Sequence, residues 1–219
     1  MPLILDGTLG VLPQTWTTVT RPAVPVTGQQ GFNTTLGGIE VYNGTSWPMV
    51  PGEMIYRLNA DFVGQATTST QSVFGVGVTL ASSTVYQFEA LYAFSKTATA
   101  TAHNINSLFG GTATLNNIAY TVLSSASSIT SFNDTTNGST FIGFMQTAAA
   151  SNFAGPGATA NIWKISHFKG TVSVNIGGTF IPQYNTSVAV GPYTMATGSY
   201  FKIAPIGVAN ANTNIGGWA

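Results

Sequence analysis

From Met54 onward hydrophobic and polar residues alternate with a period of two, the spacing that sends successive side chains to opposite faces of a strand. The pattern is clearest in TVYQFEALYAFSK, residues 84–96. There Tyr86, Phe88, Ala90, Tyr92 and Phe94 share one side, and Val85, Gln87, Glu89, Leu91, Ala93 and Ser95 take the other. One face is strongly aromatic, and the reading places it in a core rather than on a carbohydrate-stacking platform. The same alternation predicts strands over 72–80, 118–124, 139–146, 161–176 with a bend or break at Gly170, 179–185 and 199–207. Gly177-Gly178 reads as a two-residue hairpin of the I′ type.

No stretch shows apolar residues at a helical repeat; in 97–111 alanine alternates with threonine instead. Seven to nine strands separated by Ser, Gly, Asn and Thr turns predict an all-β protein. The architecture expected is an antiparallel β-sandwich of jelly-roll type, with a closed barrel as the alternative. Residues 1–50 read differently. They hold five of the ten prolines, and GFNTTLGGIEVYNGTSW, residues 31–47, carries four glycines and two turn signals, Leu36-Gly37-Gly38 and Asn43-Gly44. The expectation is an N-terminal extended arm with small β-hairpins, residues 1–50, followed by a sandwich domain over 51–219. Pro22 and Pro25 hold the arm extended, with Gly28 and Gly31 marking a turn.

Composition narrows the function classes. Charged residues are 5% of the 219, and six basic side chains balance six acidic ones, against roughly 25% charge in an average domain. Lys and Arg are scattered, so the sequence offers no footprint for nucleic acid. Thr, Ser, Asn and Gly interrupt every apolar run, and no membrane insertion is expected. A polar but uncharged surface suits assembly, because a hydroxyl costs less to desolvate than an ion. With so few ion pairs, stability is expected to vary little with salt or between about pH 5 and 9. Cysteine is absent, which removes disulfides, thiolate metal sites and a cysteine nucleophile. The start, MPLILDGTLG, lacks a basic n-region, and synthesis in a cytoplasm is expected. The Asn-x-Ser/Thr triplets at Asn33, Asn43, Asn133, Asn137 and Asn185 then read as turn chemistry.

Candidate chemistry is thin. Glycoside hydrolysis needs two carboxylates at a set separation, and Glu89 with Glu53 or Asp61 is the pair to consider. Charges on solvated faces, or paired with Arg57 and Lys96, are the competing reading. His103 and His167 have no carboxylate within ten residues, so a metal site is not expected. The glycine-rich pieces lack the Gly-Lys-Ser/Thr ending of a phosphate loop. No catalytic residue, metal or cofactor is assigned.

One segment resembles a known module. Arg21-Pro22, Pro25, Gly28, Gly31-Phe32-Asn33-Thr34-Thr35, Glu40, Tyr42, Asn43-Gly44 and Trp47 are similar to a short module of tailed-bacteriophage virion proteins, found before β-rich domains in tail fibres, head fibres and capsid decoration proteins. It covers about 27 residues, and the downstream strands resemble in style the β-domains of phage surface proteins that trimerise. The resemblance implies a non-enzymatic structural protein on the virion surface, a homotrimeric capsid decoration (cement) protein whose arm meets the major capsid protein or another virion protein. Trp16, Arg21, Phe32, Tyr42 and Trp47 are the residues expected to make that contact. A short fibre recognising a host glycan is the alternative, and a polysaccharide depolymerase using Glu89 a remoter one.

Overall fold

The computed structural model describes residues 4–6, 10–42, 44, 47, 50, 53–96, 101, 103–125, 140–147, 152–156 and 162–212, some of the strand residues by their backbone alone. The N-terminal part forms two small sheets: β1 (Ile4–Asp6) pairs with β2 (Gly10–Leu12), and β3 (Thr15–Trp16) joins β4 (Gln30–Asn33) and β5 (Gly38–Val41). Thirteen further strands build the sandwich. Short strands come first: β6 (Met54–Arg57), β7 (Phe62–Val63), β8 (Gln71–Ser72) and β9 (Val78–Leu80). The long ones follow: β10 (Thr84–Lys96), β11 (Asn104–Gly110), β12 (Thr114–Ser125), β13 (Thr140–Thr147), β14 (Asn152–Pro156), β15 (Ile162–Ile176) and β16 (Gly178–Thr186). The chain ends with β17 (Thr194–Met195) and β18 (Tyr200–Val208). The described residues hold no helix.

The eight-stranded sheet runs β13-β12-β15-β10, and the far edge of β10 is shared by β18, followed by β6, and by β17, followed by β7. The five-stranded sheet runs β14-β11-β16, with β8 and β9 along the far edge of β16. β10 with β18, β11 with β16 and β12 with β15 are nested pairs, the arrangement of a long hairpin folded over as in a jelly roll. β10–β15 and β11–β14 join these pairs laterally. β11 and β14 lie where no strand was expected from the sequence. β11 alternates as regularly as the rest (Ile105, Ser107 and Phe109 buried), but the alanine and threonine before it hide where the pattern starts.

The alternation of β10 holds. Tyr86, Phe88, Ala90, Tyr92 and Phe94 are all at most 2% exposed and bridge the two sheets. Phe88 meets Phe109 of β11 edge-on at 5.3 Å, Phe94 meets Tyr184 of β16 at 5.3 Å, and Phe109 stacks on Phe180 at 4.9 Å. This is the core.

Two glycine readings are corrected. β15 is not broken at Gly170, which pairs in register with both Phe88 and Tyr120. Residue 170 is an inward position, and a Cβ there would lie 2.3 Å from the Ala119 carbonyl oxygen and 2.4 Å from the Tyr120 Cβ. Strands two apart are about 9.5 Å apart, yet the Phe88 and Tyr120 rings are 6.0 Å from centre to centre, so they lean together over the space a side chain would fill. Gly177-Gly178 is not a hairpin turn either. β15 and β16 belong to different sheets, so the pair forms the corner between layers. Neither residue has positive φ. Their small size serves close approach: a Cβ on Gly177 would lie 2.7 Å from the Leu80 carbonyl, and one on Gly178 2.6 Å from the Thr112 hydroxyl.

One end of the interior is polar. Lys164, 4% exposed, projects inward beside Phe94, near the hydrogen-bonded Ser124 and Ser166 hydroxyls (2.7 Å). Burial pushes its pKa down to about 8. The Tyr92 hydroxyl is buried with no hydrogen-bond partner among the described residues.

Phe88→Ala is expected to cost about 3–5 kcal/mol in urea unfolding, because the site cannot collapse between two sheets. Tyr92→Phe should leave stability within about 1 kcal/mol of wild type, since the hydroxyl it removes is unpaired. Lys164 gives a pH dependence at the alkaline edge of the range expected to be flat. The unfolded chain keeps this proton to about 10.5 and the folded chain loses it at about 8. The unfolded state therefore binds more protons in between, and stability rises with pH from about 8 to 10. Above about 10 the sign reverses, because buried Tyr184 holds its proton to about 12. Urea midpoints between pH 7 and 10 test this, and Lys164→Met should flatten the rise.

Candidate functional site

The N-terminal module is a small sheet with inverted polarity. Register pairs Gly31 with Glu40 and Asn33 with Gly38 on one face, and Gln30 with Val41 and Phe32 with Ile39 on the other. The first four are buried; on the second face Ile39 is 40% exposed and Phe32 and Val41 are half-buried. Local chemistry fixes the hairpin. The Asn33 side-chain oxygen accepts the amides of Thr35 (2.9 Å) and Leu36 (3.2 Å), an Asx turn that Gly37, at φ 67°, completes. Asn33 thus does serve a turn, whereas Asn185 lies in β16 and accepts a hydrogen bond from the Asn106 amide at 2.7 Å. Asn43, Asn133 and Asn137 fall outside the described residues. Gly28, at φ 86°, makes the expected turn. Gly31 does not: it is a strand residue on which the Trp16 indole rests, and a Cβ there would lie 2.3 Å from the ring.

Glu40 is the centre of the inner face and is completely buried. One carboxylate oxygen accepts the Trp16 indole N–H at 2.8 Å, the Asn33 amide at 2.9 Å and the Arg21 Nε at 3.0 Å. The other accepts Arg21 Nη2, completing a bidentate ion pair. Burial alone would raise the Glu40 pKa. The hydrogen bonds from Arg21, Trp16 and Asn33, with the Arg21 charge, outweigh it and hold the carboxyl below its ordinary range. Trp47 packs edge-on against Trp16 at 4.8 Å, and Tyr42 packs against Trp47 at 5.2 Å. The residues expected to meet a partner are therefore divided. Trp16 and Arg21 act inside the module, Tyr42 and Trp47 extend its small aromatic core, and Phe32 lies on the outer face.

Sequence reasoning passed over Glu40 as the organising residue. The signal was that Arg21 and Glu40 are the only charges between residues 12 and 50. Between β3 and β4 the chain forms a proline-bearing strap that includes Arg21 and is tied at its start by the Thr17 and Thr20 hydroxyls, 2.9 Å apart. The strap holds Val19, Val24 and Val26 at 93%, 89% and 71% exposure.

A second polar cluster lies on the outer face of the large sheet. Glu89 of β10 is in register with Lys202 of β18 on one side and Lys169 of β15 on the other. Its carboxylate accepts the Tyr200 hydroxyl at 2.6 Å and lies 3.5 Å from His167 Nε2 and 3.8 Å from Lys202 Nζ. Glu53 reaches the same Lys202 at 3.6 Å. Glu89 thus pairs with Lys202 and lies beside His167 rather than meeting Arg57 and Lys96. His167 finds its carboxylate across the strands, which sequence spacing could not show. The Tyr200 hydrogen bond is the largest influence on Glu89, and with His167 and Lys202 it holds the carboxyl below its ordinary range. A general acid at neutral pH needs the opposite shift. Asp61 is elsewhere, accepting the Thr197 amide and hydroxyl at 2.8 and 2.9 Å. His103 is buried between the Thr101 carbonyl, 3.0 Å away, and the Tyr193 hydroxyl. Among the described residues no group of three or more His, Asp and Glu gathers as metal ligands.

No family model and no curated protein matches the chain. Among solved structures it is similar to the infectious bursal disease virus VP2 subviral particle, at 11% identity and a TM-score of 0.24 over 84% of this chain and 48% of that one. It is also similar to the Gx strain of that virus, at 11% identity and a TM-score of 0.23, covering 84% and 45%. The chain spans about half the length of these solved chains.

Glu40→Ala is expected to destabilise the module by about 3 kcal/mol, because it leaves the half-buried Arg21 charge and the buried Trp16 and Asn33 donors unpaired. Since the folded pKa is lowered from 4.5, the stabilisation by Glu40 is complete above that pH and is lost as pH falls through the depressed value. Indole fluorescence of the full chain through an acid titration reads this, with Glu40→Gln removing the acid transition.

Proposed function

We propose that the protein is a non-enzymatic structural component of a tailed-phage particle. It is a trimeric capsid decoration protein, displayed on the virion surface and attached through residues 1–50. The observation that carries this reading is the strap between β3 and β4, anchored by the Arg21–Glu40 ion pair. Three valines within eight positions of this one strap, Val19, Val24 and Val26, stand out in solvent beside the paired Arg21 and Glu40, and they present an apolar surface that contact with a partner would bury. The residues of the phage module have physical roles in that construction: Glu40, Arg21 and Asn33 form the cage, Gly31 seats Trp16, and Gly28 and Gly37 make the turns. The sandwich supports the non-enzymatic part, because its paired carboxylates share a lysine and Glu89 is held low rather than high.

The fibre reading retains one supporting observation. The outer-face depression of about 130 Å3 lined by Glu53, Gln87, Glu89, Lys169 and Lys202 offers donors and acceptors to a glycan.

The test is rebinding to virus particles stripped of the protein, with solution mass measured first. The trimer is expected to rebind, and Val24→Asp to keep its mass and melting temperature while losing about tenfold or more in affinity, some 1.4 kcal/mol. If wild type ignores particles but adsorbs to host cells in competition with host polysaccharide, the fibre reading replaces this one.

A further inference from the structure

Cations that are scattered in the sequence meet on the large sheet. Of the six Lys and Arg side chains, Arg21 is paired with Glu40, and Lys96 and Lys164 are buried. The other three, Arg57, Lys169 and Lys202, all stand on the outer face of this sheet. Register across β6, β18, β10, β15 and β12 sets Ile55, Lys202, Glu89, Lys169 and Thr121 in one row. Arg57, Tyr200, Leu91, His167 and Leu123 form the row on one side of it, and Ala204, Gln87, Thr171 and Ala119 the row on the other. Long charged side chains thus rise beside a row that includes short ones, and the hollow of about 130 Å3 lies at that step, with Ala204 and Phe88 in its lining.

Glu89 decides what the hollow offers. Its carboxylate leans toward the Tyr200 and His167 row, accepting the Tyr200 hydroxyl at 2.6 Å with His167 Nε2 at 3.5 Å, and so turns away from Lys169, its register partner on β15. Lys202 is shared between Glu53 and Glu89. Among the described residues the side chains of Lys169 and Gln87 make no ion pair and no hydrogen bond, and both are exposed and line the hollow. They are diagonal neighbours on β10 and β15, about 7 Å apart. One free ammonium and one free carboxamide therefore face the same small space. We infer that the hollow binds a carboxylate-bearing sugar, a hexuronic acid residue of an acidic glycan, with Lys169 on the carboxylate and Gln87 on a ring hydroxyl. The charges select a monoanion: a single cation is unanswered, and Glu53 and Glu89 beside it oppose the second charge of a phosphate dianion. Gln87 suits a hydroxyl because a carboxamide both donates and accepts, and Ala204 offers the ring an apolar contact. Residues 1–50 contribute nothing to this site, so it goes beyond the decoration reading and does not rest on it.

Methyl β-glucuronide and methyl β-glucoside differ only in carrying a carboxylate or a hydroxymethyl group, and saturation-transfer NMR titrations against the full chain compare them. The glucuronide is expected to bind about fivefold more tightly, the upper range for an ion pair at a surface. Lys169→Gln is expected to abolish that preference, while Arg57→Gln, on the same face but outside the hollow, keeps it. The comparison of the two sugars needs no variant, and Gln87→Ala, expected to weaken both sugars alike, serves if Lys169→Gln fails to keep the wild-type melting temperature. Equal binding of the two sugars, or binding of neither, would overturn the proposal. Inorganic phosphate displacing the glucuronide at equal concentration would also overturn it, by making the hollow a general anion site. A preference for the glucuronide that persists in Lys169→Gln would overturn the assignment by placing the carboxylate elsewhere.

Discussion

Aromatic packing across the two sheets is the interaction on which the sandwich depends. β10 supplies four rings to one face, and strands from both layers close on them, Phe109 and Tyr184 from the smaller sheet and Phe168 and Phe201 from its own. With 5% charge, ion pairs contribute little and burial dominates. The glycines follow from the same packing. Gly170 has no side chain because two rings meet above it, and Gly177-Gly178 is small because the chain changes layers against two neighbouring backbones.

The N-terminal module solves a different problem with opposite chemistry. A three-stranded sheet of strands two to four residues long has too little surface for a hydrophobic core. It is organised around one buried carboxylate satisfied by four donor groups instead. Removing ions from water is costly, and the cage offsets that cost only because the ion pair is bidentate and its neighbours are hydrogen-bonded to it. Specificity is what such a cage supplies: the strap, the hairpin and Trp16 must all be in place together. Having turned Asn33 and Glu40 inward, the hairpin presents Phe32, Ile39 and Val41 outward beside Gln30.

The outer face of the large sheet shows how a charge-poor protein places the charges it has. Glu53, Glu89, Lys169, Lys202 and His167 lie on three neighbouring strands and one adjoining residue, and Tyr200 donates to the carboxylate among them. A carboxylate stabilised in its ionised form by a hydroxyl, an imidazole and an ammonium is suited to fixing neighbouring strands in register or to meeting a polar ligand. It is poorly suited to delivering a proton.

The sequence determined the elements whose cause is local. The alternation of β10 announced both the strand and its buried face, because a period of two needs no knowledge of neighbours. The turn at Asn33–Gly37 was legible for the same reason, since an Asx side chain and a glycine act within four residues. Tertiary structure alone decided the rest. Which sheet receives β16 could not be read from Gly177-Gly178, because a glycine pair serves a turn and a close approach equally. His167 and Glu89 are 78 positions apart in sequence and meet only because β10 and β15 pair in one register. Nothing local in the sequence marks Glu40 as buried, because Trp16, Arg21 and Asn33 converge on it only in the folded module. A buried ion is defined by what surrounds it, and that information lies in the packing.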